Sequence, residues 1–128
     1  MSESKNKEIA ECFLSSYATR DFITLATLLH DEIEWTLPGR GLISGTAKGV
    51  DAVIDRIQTI IKNGTKTELK HVLIGQNGIA LFLHNTGSKS EHIQLDEHLA
   101  TVLTIESSLV IKIDTFLSDV PMMESFFV

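Results

Sequence analysis

The sequence contains one cysteine, two prolines, one tryptophan and one tyrosine among 128 residues. The lone Cys12 excludes an internal disulfide and fits a reducing compartment, so a cytoplasmic protein is expected. Cationic side chains are scarce: 11 lysines and arginines stand against 17 aspartates and glutamates, a formal net charge of −6. Lys62, Lys66, Lys70 and Lys89 do not form a run. The chain thus lacks the basic footprint that phosphate neutralisation requires, and nucleic acid is not expected as a partner. Long apolar runs are missing as well. The stretch from Leu99 to Ile105 is broken by Thr101 and Thr104, and nothing approaches the roughly 20 residues of a membrane span. The opening Met1–Glu8 has no apolar core, so neither a secretory leader nor a membrane partner is expected. No His-x-x-x-His or Cys-x-x-Cys pair occurs, and His30, His71, His84 and His92 form no ligand set in the sequence. Neither a metal nor a cofactor is therefore expected. Gly39, Gly41, Gly45 and Gly49 match no phosphate-binding glycine pattern and read as turn geometry.

What is present is enough apolar residue, 43% of the chain, to build one core in a single domain over 1–128. Ile9, Cys12, Phe13, Ser16 and Tyr17 recur at helical spacing, predicting a helix over about 5–19. Asp21 is placed to cap a second helix with Phe22, Leu25, Leu28 and Leu29 inside. Ile33, Trp35 and Leu37 alternate with Glu34 and Thr36 as in a half-buried strand, stopped by Pro38-Gly39. Val53, Ile54, Ile57, Ile60 and Ile61 make the stripe of a third helix over about 50–62, ended by Asn63-Gly64. The period then changes to two. Strands are expected over 69–76, 79–86, 92–106 and 109–117, with turns at Asn77-Gly78, Gly87–Ser90 and Ser107-Ser108. Helices segregated to one side of a mainly antiparallel sheet make an α+β fold.

The segment from Asp21 to Gly49, and above all Trp35-Thr36-Leu37-Pro38-Gly39-Arg40-Gly41 with Ser44-Gly45, resembles the SnoaL-like, polyketide cyclase-like branch of the nuclear transport factor 2-like superfamily. The tail from Leu109 through Ser118-Asp119 to Phe126-Phe127 is similar to the family's last strand and aromatic C-terminus. The resemblance spans nearly the whole chain. It departs at the final turn, where Ser107-Ser108-Leu109-Val110 replaces the usual Asp-Gly-Lys-Ile. The resemblance implies a cone-shaped, strongly curved sheet packed on three N-terminal helices and enclosing a pocket. It also implies a homodimer through the outer sheet face, where Ala100, Val102 and Thr104 continue the parity of His98.

Two catalytic patterns within the superfamily can be laid on the sequence. The ketosteroid isomerase pattern requires a base before the strand-ending proline, a tyrosine on the first helix and an acid on the penultimate strand. Leu37, Phe13 and Thr101 fall at those places, and none of them titrates. The polyketide cyclase pattern requires an acid on the last strand, which falls near Thr115. Asp114 is one residue away, and an offset of one turns a strand side chain to the other face.

Glu97 shares the inward parity of Thr101, and Tyr17 lies one turn after Phe13. Glu97 as base, Tyr17 as donor and Asp114 in reserve are the candidate catalytic residues. Against them stand plainer readings: a solvated Glu97 at the cone's mouth, and a core tyrosine. Phe13, Trp35, Leu37, Leu81, Leu83, Leu99 and Leu103, with Thr101 and Thr115, are the candidate ligand-binding residues. Each of these also serves as core. Asp96 and His98 read as a polar patch outside, Arg40 as a loop cation, and Asp119 as the cap of a last helical turn. Two functions remain open. One is an enzyme that cyclises, isomerises or hydrates a small, mostly apolar carbonyl or polyketide-like compound. The other is a non-catalytic module that binds a small hydrophobic molecule or acts as a dimeric accessory.

Overall fold

A computed structural model of the chain describes residues 3–128. Met1 and Ser2, which belong to the segment read as leaderless, lie outside the described residues. Helix α1 runs over Glu3–Thr19 and α2 over Phe22–Thr27. Strands β1 (Leu29–Leu37) and β2 (Gly45–Lys48) follow, and then α3 (Val50–Lys62). Four strands come next: β3 (Lys66–Ile74), β4 (Gly78–Ser90), β5 (Ile93–Glu106) and β6 (Leu109–Leu117). Helix α4, Val120–Phe126, closes the chain.

The strands form one open six-stranded sheet in the order β2-β1-β6-β5-β4-β3. Among the described residues only β1 and β6 pair in parallel; the other ladders are antiparallel. Helix α1 lies against β4, α3 against β1 and β2, and α4 against β5. The expected α+β class holds, with a mixed sheet.

Local chemistry explains the helix ends. Asp21 caps α2 by accepting from the Thr24 amide at 3.1 Å and the Thr24 hydroxyl at 2.7 Å. Asp119 caps α4 by accepting from the Met122 amide at 3.0 Å, as its place before Pro121 predicts. The buried stripe of α1 is Asn6, Ile9, Ala10, Phe13 and Ser16. Cys12 is only half-buried, because the stripe is turned slightly from the expected one.

Several boundaries differ from the sequence reading. Strand β2 was not expected: it is short and lacks an apolar alternation. It is held by pairing with β1, as in Trp35 with Ala47. The segment from Gly87 to Ser90 is not a turn, since β4 runs through it and reverses at Glu91-His92. Gly87 serves packing instead, because a Cβ there would lie 2.7 Å from the Phe126 ring. Asn77-Gly78 also works differently from a two-residue hairpin turn. The link spans residues 75–77, and Gly78 has no positive φ. It is glycine because the β5 backbone passes close by: a Cβ would meet the Leu103 carbonyl oxygen at 2.0 Å. A two-residue turn does stand at Ser107-Ser108, whose φ values of 51° and 66° suit a primed turn.

Strand β5 alternates strictly, with Leu95, Glu97, Leu99, Thr101, Leu103 and Ile105 buried. In β3 a bulge at Lys70 shifts the register between Leu69, opposite Leu83, and His71, opposite Phe82. The bulge changes which residues face inward on either side of it.

Gly78→Ala should destabilise the chain by about 1–3 kcal/mol, because backbone rather than a flexible side chain must move. Urea unfolding measures this, and a variant as stable as the parent would contradict the close approach.

Candidate functional site

The inner face of the sheet, with α1, α3 and α4, encloses a cavity of about 70 Å³. With one water needing ~10–15 Å³ on this measure, that is room for about five waters or one small ring. The wall is mostly apolar. Phe13 and Leu14 come from α1, Ile57 and Ile60 from α3, Leu81 and Leu83 from β4, and Met123 and Phe127 from the C-terminal segment.

Two polar groups of residues interrupt this wall. One is internally satisfied. Trp35 donates its Nε1–H to Thr115 Oγ1 at 2.9 Å, and Thr115 and Thr101 share a hydrogen bond of 3.2 Å. Arg56 lies 5.1 Å from the centre of the Trp35 ring and donates to the Trp35 carbonyl at 2.8 Å and the Gly45 carbonyl at 3.1 Å. Burial lowers the Arg56 pKa. Its five donors still suit a charged guanidinium that ties β1, the following loop and α3 together.

The other group is a row. Thr67, Asn85 and Glu97 are successive cross-strand partners on β3, β4 and β5, and all three line the cavity. Thr67 Oγ1, Asn85 Oδ1 and Glu97 Oε1 are each buried without a hydrogen-bond partner. Tyr17 stands at the Thr67 end, near that side chain but without a hydrogen bond of ordinary geometry to it. The neighbouring groove, lined in part by Arg20 and Lys66, meets the cavity at Leu14, Tyr17 and Thr67.

Glu97 is 2% exposed. Its Oε2 accepts from the Ser118 hydroxyl and from the Asp119 amide, both at 2.6 Å. These bonds favour the charged form. Desolvation outweighs them and raises the Glu97 pKa above the ordinary carboxylate value, with help from the nearby Asp119 charge. Burial likewise raises the Tyr17 hydroxyl, partly offset by Thr67 and Arg20. The cavity therefore offers a carboxyl group with one free oxygen, an amide and a phenol. Such a set can hold a carbonyl or hydroxyl oxygen and accept or return a proton.

Most of the candidate residues meet at this cavity. Glu97, Tyr17, Phe13, Trp35, Leu37, Leu81, Leu83, Leu99, Thr101 and Thr115 all line it. Two do not. Leu103 is fully buried but sits beyond the cavity in solid core, between Ile79 and Ile113. Parity gives its face and not its depth. Asp114 pairs with the outward Val102 and lies 3.5 Å from Lys112, so the offset from Thr115 does turn it away from the cavity. Arg40 meets Glu124 through its backbone amide. Sequence reading missed Thr67 and Asn85, although Asn85 continues the phase of Leu81 and Leu83.

The raised pKa of Glu97 has a definite sign in stability. The folded chain holds the proton in a window above the ordinary 4.5, where the unfolded chain has released it. Stability therefore falls as pH rises through that window. Glu97→Gln, which cannot ionise, should lose this slope. Relative to the variant, the parent should be weaker near pH 8 than near about pH 4.5. Parallel stability–pH curves for the two would refute the assignment.

No family model matches the sequence, and no curated protein matches it. Solved structures do. Bal32a, from a soil-derived mobile gene cassette, is 24% identical with a TM-score of 0.89, over 99% of this chain and 100% of that one. A nuclear transport factor 2-like protein from Burkholderia xenovorans is 19% identical with a TM-score of 0.84, over 98% of each chain. A protein from a Jannaschia species, assigned as a SnoaL-like polyketide cyclase, is 10% identical with a TM-score of 0.78, over 98% of this chain and 93% of that one. These likenesses bear out the resemblance read from Trp35 to Gly45 at the level of the fold: the chain has the nuclear transport factor 2-like fold that SnoaL-like proteins share.

Proposed function

We propose that this chain binds a small, mostly apolar carbonyl compound of about single-ring size, with its oxygen turned towards the hydroxyls of Thr67 and Tyr17 and with Glu97 beside it. The observation that carries this reading is the row of three buried, unpartnered polar atoms on Thr67, Asn85 and Glu97. Each unmet group costs about 1–3 kcal/mol. A carbonyl oxygen only accepts, so it would take the Thr67 hydroxyl proton, and a water bound with it would donate to Asn85 Oδ1 and Glu97 Oε1. The apolar remainder of the wall supports burial as the source of affinity, with the polar row setting orientation. The SnoaL-like assignment of the Jannaschia neighbour supports a carbonyl ligand as a class. Where the ligand reacts, by cyclisation, isomerisation or hydration, Glu97 accepts the proton and Tyr17 donates to the developing oxyanion. The size of the cavity supports a compound smaller than a multi-ring polyketide.

Titration calorimetry with matched pairs of single-ring ketones and hydrocarbons tests this. The ketone of each pair should bind about 5- to 100-fold more tightly, and Thr67→Val should erase most of that preference. Equal binding of ketone and hydrocarbon would end the proposal. Binding of the ketone without turnover by the parent chain would favour the second reading, a binding module. Leu37, Phe13 and Thr101 at the isomerase positions support that second reading.

The outer face supports a homodimer. Phe82, Ala100 and Phe116 form one cross-strand row on it, and Phe82 and Phe116 are 37% and 62% exposed. Half-buried Ala80 and Val102 extend the row along the strands. Such a strip on a sheet face marks an interaction surface. Sedimentation at micromolar concentration should show a species of twice the 14.2 kDa chain mass, lost in Phe116→Asp. A single-chain species alone would reject it.

A further inference from the structure

We propose that His84, Asp96 and His98 form a binding site for a divalent transition cation of the zinc class on the outer face of the sheet. The placement follows from strand geometry. Asp96 and His98 are two apart on β5 and so project from one face. The antiparallel register sets His84 of β4 directly opposite His98, and Asp96 opposite Thr86, two residues along. Three ligand-bearing side chains thus converge from two adjacent strands, and their ligand atoms all lie within 4.8 Å of one another. His84 Nε2 is 2.6 Å from Asp96 Oδ1. The two imidazole rings stack with centroids 4.4 Å apart at an interplanar angle of 4°, so the exposed His98 ring must turn out of the stack to aim its in-plane lone pair at an ion held by His84 and Asp96.

The donor chemistry selects the ion. Two imidazoles and a carboxylate are the nitrogen–oxygen set that zinc takes with one position left for water. Calcium and magnesium would need more oxygen ligands. An ion between His84 and Asp96 would replace the proton they share, at about 2.0–2.2 Å from each ligand atom. The ligands must then draw together, with the closest pair opening slightly. Asp96, with its side chain 73% exposed, and the exposed His98 are free to rotate. Glu68 of β3 sits opposite His84 and is paired with Lys70 at 3.0 Å.

A plain His84–Asp96 ion pair also accounts for the 2.6 Å contact. It leaves the stacked His98 ring without a hydrogen bond among the described residues. A cation engages all three groups at once.

The test is zinc titration of the full, metal-free chain, followed by calorimetry and by the ring-proton NMR signals of the histidines. The expected result is one equivalent per chain at micromolar affinity. The His84 and His98 signals should move, while those of His30, His71 and His92 stay in place. His84→Ala and His98→Ala should each weaken binding by at least about tenfold, whereas His30→Ala and His92→Ala should leave it unchanged. Absence of uptake at millimolar zinc would overturn the proposal. So would uptake that shifts other histidines, or that survives loss of both His84 and His98. The NMR readout uses the unsubstituted chain, so it decides the matter even if a variant fails to fold.

Discussion

A slip of one residue in β5 would carry Glu97 to the outer face and bring Asp96 and His98 into the cavity. Four apolar neighbours prevent it. Leu95, Leu99, Leu103 and Ile105 are buried on the inner face, and exposing each would cost about 1.5–3 kcal/mol. Together that approaches the whole net stability of a domain, ~5–15 kcal/mol. Glu97 is therefore carried inside by the side chains that alternate with it along the same face. The position of the carboxyl is a consequence of register, and register is a consequence of apolar burial.

Once inside, the carboxyl is held at one oxygen only. The Ser118 hydroxyl and the Asp119 amide both reach Oε2, and both belong to the short link from β6 into α4. Asp119 also caps α4, so the segment that seats Met123, Phe126 and Phe127 in the core is the one that anchors Glu97. The second oxygen, with Asn85 and Thr67, has no such support. An apolar row at these three positions would fold more stably. A chain that keeps unmet polar groups where all its neighbours are apolar departs from the pattern of its own core, and such departures concentrate at functional sites.

The elements governed by local periodicity were legible in the sequence. The stripe of α3 and the alternation of β1 and β5 gave both the elements and their inward faces. What escaped was set by partners distant along the chain. Gly87-Ser88-Lys89-Ser90 has turn composition, yet the Phe126 ring lies against Gly87 and the strand continues. Strand β2 exists because β1 offers it an edge, and its own four residues carry little signal. Arg56 sits on a helix next to an apolar stripe, and no spacing reveals that it binds backbone carbonyls of β1 and the loop after it. Within the site, parity placed Glu97 correctly and parity alone would have found Asn85. The depth of Leu103 along its strand was not recoverable, since it depends on where helices cover the sheet.

The inner polar row and the outer histidine cluster occupy adjacent rungs of the β4–β5 ladder, Asn85 with Glu97 and His84 with His98. The pleat directs their side chains to opposite faces, so the two groups do not touch. They are nevertheless joined through one residue. The backbone N–H of His98 donates to the Ser118 hydroxyl at 2.9 Å, and that hydroxyl donates to Glu97 Oε2. A hydroxyl has a single proton to give. Its commitment to Glu97 leaves its lone pairs for His98, and the amide fills one of them. The hydroxyl cannot serve another acceptor without breaking its bond to Glu97. Ser118 thus ties the edge of β5 to the anchored oxygen of Glu97 and leaves the free oxygen buried in the cavity wall.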